Sequence, residues 1–128
     1  MQTENFISKE GKIDFEKLEV WKKSRHLSAD IYRQLKNLQD YGFKDQITRS
    51  GLSVPSNIAE GMERNSVKEK LQFLNIARAS CAEMRTQILI GGDIDYISKP
   101  VAKKWLIEAR ELSAMLSGLI KSVLRTDS

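Results

Sequence analysis

The stretch SVKEKLQFLNIARASCAEMRTQILIGG, residues 66–92, decides the fold. Ser66 followed three residues later by Glu69 is a capping box, in which the hydroxyl serves a first-turn N–H and the carboxylate reaches back to the N–H of the cap. From Val67 the apolar residues Leu71, Leu74, Cys81, Met84 and Ile88 fall on one side of a helix at 100° per residue. Gly91-Gly92 is the expected stop. A proline-free run of this length reads as a long amphipathic helix whose seam needs other helices to cover it.

Outward from this helix, three more segments carry the same period. A first helix is expected from Asp14 to Gln39, along Val20, Ser24, Leu27, Ile31, Leu35 and Leu38, ended by Tyr41-Gly42. A second is expected from Lys44 to Met62, along Ile47, Gly51, Val54, Ile58 and Met62. Pro55 lies inside it and lacks the N–H of one helical hydrogen bond, so a kink is expected near Gly51 to Val54. The periodicity continues past Pro55, which favours one kinked helix over two separate ones. Ser98 caps the fourth helix, with Pro100 tolerated in its first turn. It runs to Arg125 along Ala102, Trp105, Ala109, Leu112, Leu116, Leu119 and Val123. Short connections make neighbouring helices antiparallel, so the expectation is an all-α, up-down-up-down four-helix bundle over 14–128 behind a flexible leader, 1–13.

The chain has 128 residues, 41% of them apolar and 30% charged, which suits one domain with one core. No stretch approaches the roughly 20 apolar residues of a membrane span. Met1 to Lys12 mixes acids with bases and does not read as a signal peptide. Cys81, the single cysteine, allows no internal disulfide and fits a reducing compartment, so a cytoplasmic location is expected. The net charge of +4 suits ordinary solubility or an anionic partner, and composition leaves both open.

Helix faces add a second expectation. Phe73, Ile76, Ser80, Glu83, Gln87 and Ile90 form a second row on the third helix, away from its seam. Leu18, Trp21, Arg25, Ser28 and Tyr32 do so on the first, and Ile107, Ala114 and Gly118 more weakly on the fourth. A broad core can absorb flanking residues, Trp21 most easily. Large apolar residues on two faces of one helix point instead to a second contact surface. A homo-oligomer is therefore expected, with Trp21, Tyr32, Phe73, Ile76 and Ile90 at its interface. Arg78 and Arg85 fall on the seam side of the third helix, where a guanidinium needs a carboxylate. A structural ion pair of Arg78 with Glu60 and Glu83 is expected, with Glu111 a further possible partner; the alternatives are ligand contact, or long stems that snorkel outward.

Enzyme chemistry finds no footing in these residues. His26 is the single histidine, so with Cys81 alone no nitrogen-sulfur metal site can form within one chain, and no cofactor is expected. Gly91-Gly92-Asp93 lacks the spacing and lysine of a P-loop, and Ser50, Ser53 and Ser56 have no histidine near them. Cys81 sits on the seam as a small hydrophobe. Basic rows are the remaining signal. Lys22, His26, Arg33 and Lys36 share the outward face of the first helix, with Lys23 and Arg25 flanking. Lys103, Arg110, Lys121 and Arg125 form a comparable row on the fourth, while Lys44 and Arg49 add charge to the second. Such rows either contact phosphates or form the solvated face that any bundle needs. No aromatics interleave with these lysines, so base stacking is not expected.

Three blocks carry a resemblance. They are Phe15 to Lys22, FEKLEVWK; Gln46 to Gly61, QITRSGLSVPSNIAEG; and Phe73 to Ser80, FLNIARAS, followed by Glu83 and Gln87. Together they resemble the four-helix-bundle proteins encoded in bacterial 23S ribosomal RNA intervening sequences, also known as S23 ribosomal proteins. The middle block is the most specific, and the fourth helix matches in pattern alone. Ala79 stands where the family usually has glycine, and Asp93 to Tyr96 where it has a leucine-glycine-tyrosine turn. The resemblance implies a homopentameric ring around a central channel, with a basic surface. It further implies kinship to the accessory variability proteins of diversity-generating retroelements, which bind nucleic acid and a reverse transcriptase. RNA or DNA is thus the expected partner, with a reverse transcriptase or another protein beside it. A purely structural or protein-binding assembly module is the alternative.

Overall fold

Three of the four helices open on a short polar side chain that serves the first turn. In a computed structural model, which describes residues 13–126, Asp40, Ser66 and Ser98 accept from the N–H groups of Phe43, Glu69 and Val101. They start α2 (Tyr41–Met62), α3 (Val67–Asp93) and α4 (Lys99–Arg125). Residues 1–12, most of the expected leader, lie outside the described residues.

The first helix is shorter than its periodicity suggested. α1 spans Glu19–Gln34, preceded by a 3-10 turn, Phe15–Lys17, that Asp14 caps through the N–H of Glu16. Leu18 is extended (φ −76°, ψ 129°) and separates the two. Tyr41-Gly42, expected to end the first helix, instead opens the second, because Asp40 captures the Phe43 N–H at 3.1 Å. Leu38, expected on the seam, sits half-buried in the connection. α2 runs as one helix through Pro55.

The glycine stop also moves. α3 continues through Gly91-Gly92 to Asp93, and both glycines are buried. A Cβ on Gly91 would lie 2.5 Å from Ile97 Cδ1 and 3.0 Å from Phe43 Cζ, so this glycine serves packing rather than termination. The left-handed residue of the turn is Asp95, at φ 64°.

Each helix packs on its chain neighbour and α1 closes against α4, which completes the four-helix bundle. Trp105 is the largest wholly buried side chain, surrounded by a core that includes Ile31, Ile47, Ile58, Leu74, Met84, Ile88, Leu112 and Leu116. Burying each large aliphatic contributes about 1.5–3 kcal/mol. On α4 Ile120 is buried and Leu119 partly so, a shift of one residue from the expected seam. A buried indole needs an acceptor, and Trp105 Nε1 donates to Asp30 Oδ2 at 2.7 Å. Cys81 lies wholly buried, donates weakly to Ala109 O at 3.3 Å and accepts from Ser113. Burial pushes its thiol above the ordinary cysteine range. No helix among the described residues is long and apolar enough to cross a membrane.

The second row of α3 divides in two. Phe73, Ser80 and Gln87 turn toward α2: Phe73 Cβ lies 3.2 Å from where a Gly61 Cβ would stand, Ser80 bonds Ser53 at 2.7 Å, and Gln87 accepts from Ser50 at 2.5 Å. Ile76, Glu83 and Ile90 stay in solvent, the two isoleucines 42% and 47% exposed. Trp21 is half-buried against Phe15, ring centres 5.3 Å apart.

The expected Glu60–Arg78–Glu83 ion pair does not form among the described residues. Arg78 is exposed and donates to Asn75 Oδ1 at 3.0 Å, while Glu60 pairs with Arg64 at 2.6 Å. Arg78 lies far enough around the helix for its stem to snorkel outward, so no buried guanidinium requires a carboxylate.

Candidate nucleic-acid interface

The two basic rows meet different surroundings once the helices pack. On α1, Lys22 lies 3.7 Å from Glu19 and Arg33 lies 3.8 Å from Asp30. Lys23 bonds Glu111 across the α1–α4 seam, and that bond raises the lysine pKa above its ordinary value. Arg25 sits 5.5 Å over the Trp21 ring. Much of the α1 charge is thus matched locally. His26 is exposed and joins Lys23, Glu108 and Glu111 around a hollow of about 300 Å³.

The α4 row differs. Lys103, Arg110 and Lys121 are exposed, and among the described residues none has a carboxylate within ion-pair distance. Lys103 and Arg110 border a second hollow of about 300 Å³ between α3 and α4, whose apolar lining includes Leu89, Leu106 and Ile107. Ile107 is 55% exposed beside these cations.

A third cluster joins residues that the sequence keeps apart. An open hollow of about 660 Å³ lies between the end of α1 and the start of α2, lined by Tyr32, Lys36, Tyr41, Lys44, Asp45 and Thr48. Tyr32 is 47% exposed and Tyr41 68%. The Lys44 ammonium lies 5.0 Å from the centre of the Tyr41 ring and donates to Lys36 O at 3.3 Å. Asp45 pairs with Arg49 at 3.1 Å. Aromatic rings therefore do interleave with lysines here, contrary to the linear reading. In the sequence Tyr41-Gly42 resembles a helix terminator, whereas Asp40 as an N-cap places Tyr41 in the first turn of α2, beside Lys44.

The corner is held from behind. Tyr96 donates its hydroxyl to Asp40 Oδ2 at 2.8 Å, and its ring packs edge-on against Phe43 at 5.3 Å. The Phe43 N–H and the Tyr96 hydroxyl together hold the Asp40 carboxyl below the ordinary carboxylate range. The same bond to Asp40 pushes the Tyr96 phenol above its usual value.

Among the described residues no three His, Cys, Asp or Glu side chains gather to hold a metal ion. Residues 16–118 match the family described as 23S rRNA-intervening sequence protein. A crystal structure from Bacteroides thetaiotaomicron VPI-5482, of a protein of unknown function from the S23 ribosomal protein family, superposes with a TM-score of 0.75. Its sequence is 27% identical, over 80% of this chain and 98% of that one. No curated protein matches.

Proposed function

The chain belongs to the 23S rRNA-intervening sequence protein family, and from that premise we propose a non-enzymatic, homo-oligomeric protein that binds RNA or DNA through phosphate contacts from its basic helix faces. The observation that carries the reading is that three α4 cations, Lys103, Arg110 and Lys121, have no carboxylate within ion-pair distance among the described residues. These three are exposed to an outside anion, whereas Lys23 on α1 is already paired with Glu111. Cations of the first kind release counterions when phosphates replace their atmosphere, and this drives binding without regard to sequence. Assembly repeats the row on every subunit. The pentameric ring, and a reverse transcriptase or ribosomal RNA insertion as context, rest on the resemblance alone.

Charge reversal tests the reading. Lys103→Glu with Arg110→Glu should weaken binding to every RNA and DNA sequence alike, as measured by fluorescence anisotropy at low salt. Lys22→Glu with Arg33→Glu should do so less, since each cation there already has an acid beside it. Unchanged affinity in the α4 variant would refute the assignment.

The assembly module without a nucleic-acid role is favoured by a different observation, the exposure of Ile76 and Ile90 on α3. Light scattering separates the two consequences. An oligomer places these residues between subunits, while a monomer leaves them for another protein.

A further inference from the structure

We propose that the hollow between α1 and α2 receives one unpaired base of a single-stranded nucleic acid, with Tyr41 as the stacking platform, Tyr32 as a second wall, and Lys36 and Lys44 at the adjoining phosphate. The proposal rests on the nucleic-acid reading above and adds to it a preference for unpaired nucleotides.

Three observations converge on this. The Tyr41 ring is 68% exposed and Tyr32 47%, and both line the hollow. Aromatic faces offered to solvent beside cations are the composition of single-strand binding surfaces, because every base has a π-face to stack and a phosphate following it. The cation is also fixed in place: Lys44 donates to the Lys36 carbonyl at 3.3 Å and holds its ammonium over one face of the Tyr41 ring, 5.0 Å from the centre, so a base would stack on the opposite face with the charge beside it. The volume of about 660 Å³ lies within the range of about 300–1,000 Å³ common for small-ligand sites.

The acids nearby do not cancel this charge. Asp45 pairs with Arg49 at 3.1 Å, and Asp40 does not line the hollow. Neither Lys36 nor Lys44 has a carboxylate within ion-pair distance among the described residues. Phosphates alone would need no tyrosines, and a duplex keeps its bases stacked inside, so the pairing of both residue types selects an unpaired nucleotide.

The test uses the full chain and four labelled probes of equal length: single-stranded RNA, single-stranded DNA, duplex RNA and an abasic DNA strand. Tyr41→Ala should lose about tenfold or more in affinity for both base-bearing single strands, while its affinity for duplex and abasic strands stays unchanged. Tyr41→Phe should keep wild-type affinity, since the ring remains, and Tyr32→Ala should lose less than Tyr41→Ala. Tyr41 is a surface residue, so its loss leaves the helices intact, which circular dichroism checks. An unchanged single-strand affinity, an equal loss on duplex, or an abasic strand bound as tightly as a base-bearing one each overturns the proposal. So does a fall in oligomer mass on light scattering with strand preference unaltered, which would assign the tyrosines to assembly. Binding to duplex that persists while the tyrosine variants change nothing overturns this inference alone. No binding to any probe at low salt overturns the nucleic-acid reading with it.

Discussion

Asp40 shows how much one side chain can decide. It caps α2, and its second oxygen takes the Tyr96 hydroxyl from the turn before α4. The depressed pKa of Asp40 gives a contribution to stability that is present above the ordinary carboxylate value and lost as pH falls through the folded one. Tyr96 acts in the opposite sense: its raised pKa gives a contribution present below about pH 10 and lost as pH rises through the folded value. Asp40→Ala should therefore flatten both the acidic limb and the far alkaline limb of a melting-temperature profile against pH. An unaltered profile would remove Asp40 from this role. Asp30 is the other decisive residue, since it takes the buried indole N–H of Trp105. Asp30→Ala leaves that donor unpaired and should cost about 1–3 kcal/mol in a urea titration, with the spectroscopic signature of Trp105 altered. The sequence placed Trp105 in the core but could not name its acceptor, because Asp30 lies 75 residues away and its spacing marks it only as a seam flank.

Among the elements, the helices themselves were legible because one period runs through each, and the seam positions Ile31, Ile47, Ile58, Leu74 and Leu112 are buried as the spacing requires. Their ends were less so. Gly91-Gly92 looks like a stop to any local rule, yet it lies inside α3, where Ile97, Phe43 and Ala102 press on it. Only tertiary contact distinguishes a packing glycine from a terminating one. Two other glycines make that distinction measurable. A Cβ on Gly61 would stand 3.2 Å from both Lys70 O and Phe73 Cβ, atoms tied to the α3 backbone that cannot readily yield. Gly61→Ala should destabilise the bundle by about 1–2 kcal/mol, overpacking outweighing the better helix propensity of alanine. Gly118 has nothing within 4 Å of its notional Cβ, so Gly118→Ala should stabilise by about 0.5–1 kcal/mol. Equal shifts of the urea midpoint in both variants would contradict the assignment of Gly61 to the α2–α3 contact.

At the scale of the whole molecule, the surface was legible in its residues but not in its arrangement. The basic rows could be read from helical spacing, whereas Lys23 meeting Glu111 and Tyr32 meeting Tyr41 depend on how helices pair. The same holds for the second row of α3, of which α2 takes Phe73, Ser80 and Gln87 and leaves Ile76 and Ile90 outside. If those isoleucines join subunits, Ile76→Asp with Ile90→Asp should reduce the mass found by light scattering to that of one chain while helicity stays constant. An unchanged mass would leave them to another protein. Phosphate-directed binding by the assembled bundle is tested most directly by its affinity for a structured RNA across monovalent salt, from about 50 to 200 mM. Log affinity should fall linearly with log salt, with a slope of about −0.7 to −0.9 per phosphate contact, and become shallower in the Lys103→Glu, Arg110→Glu variant. A flat line, or no binding at the lowest salt, would contradict it.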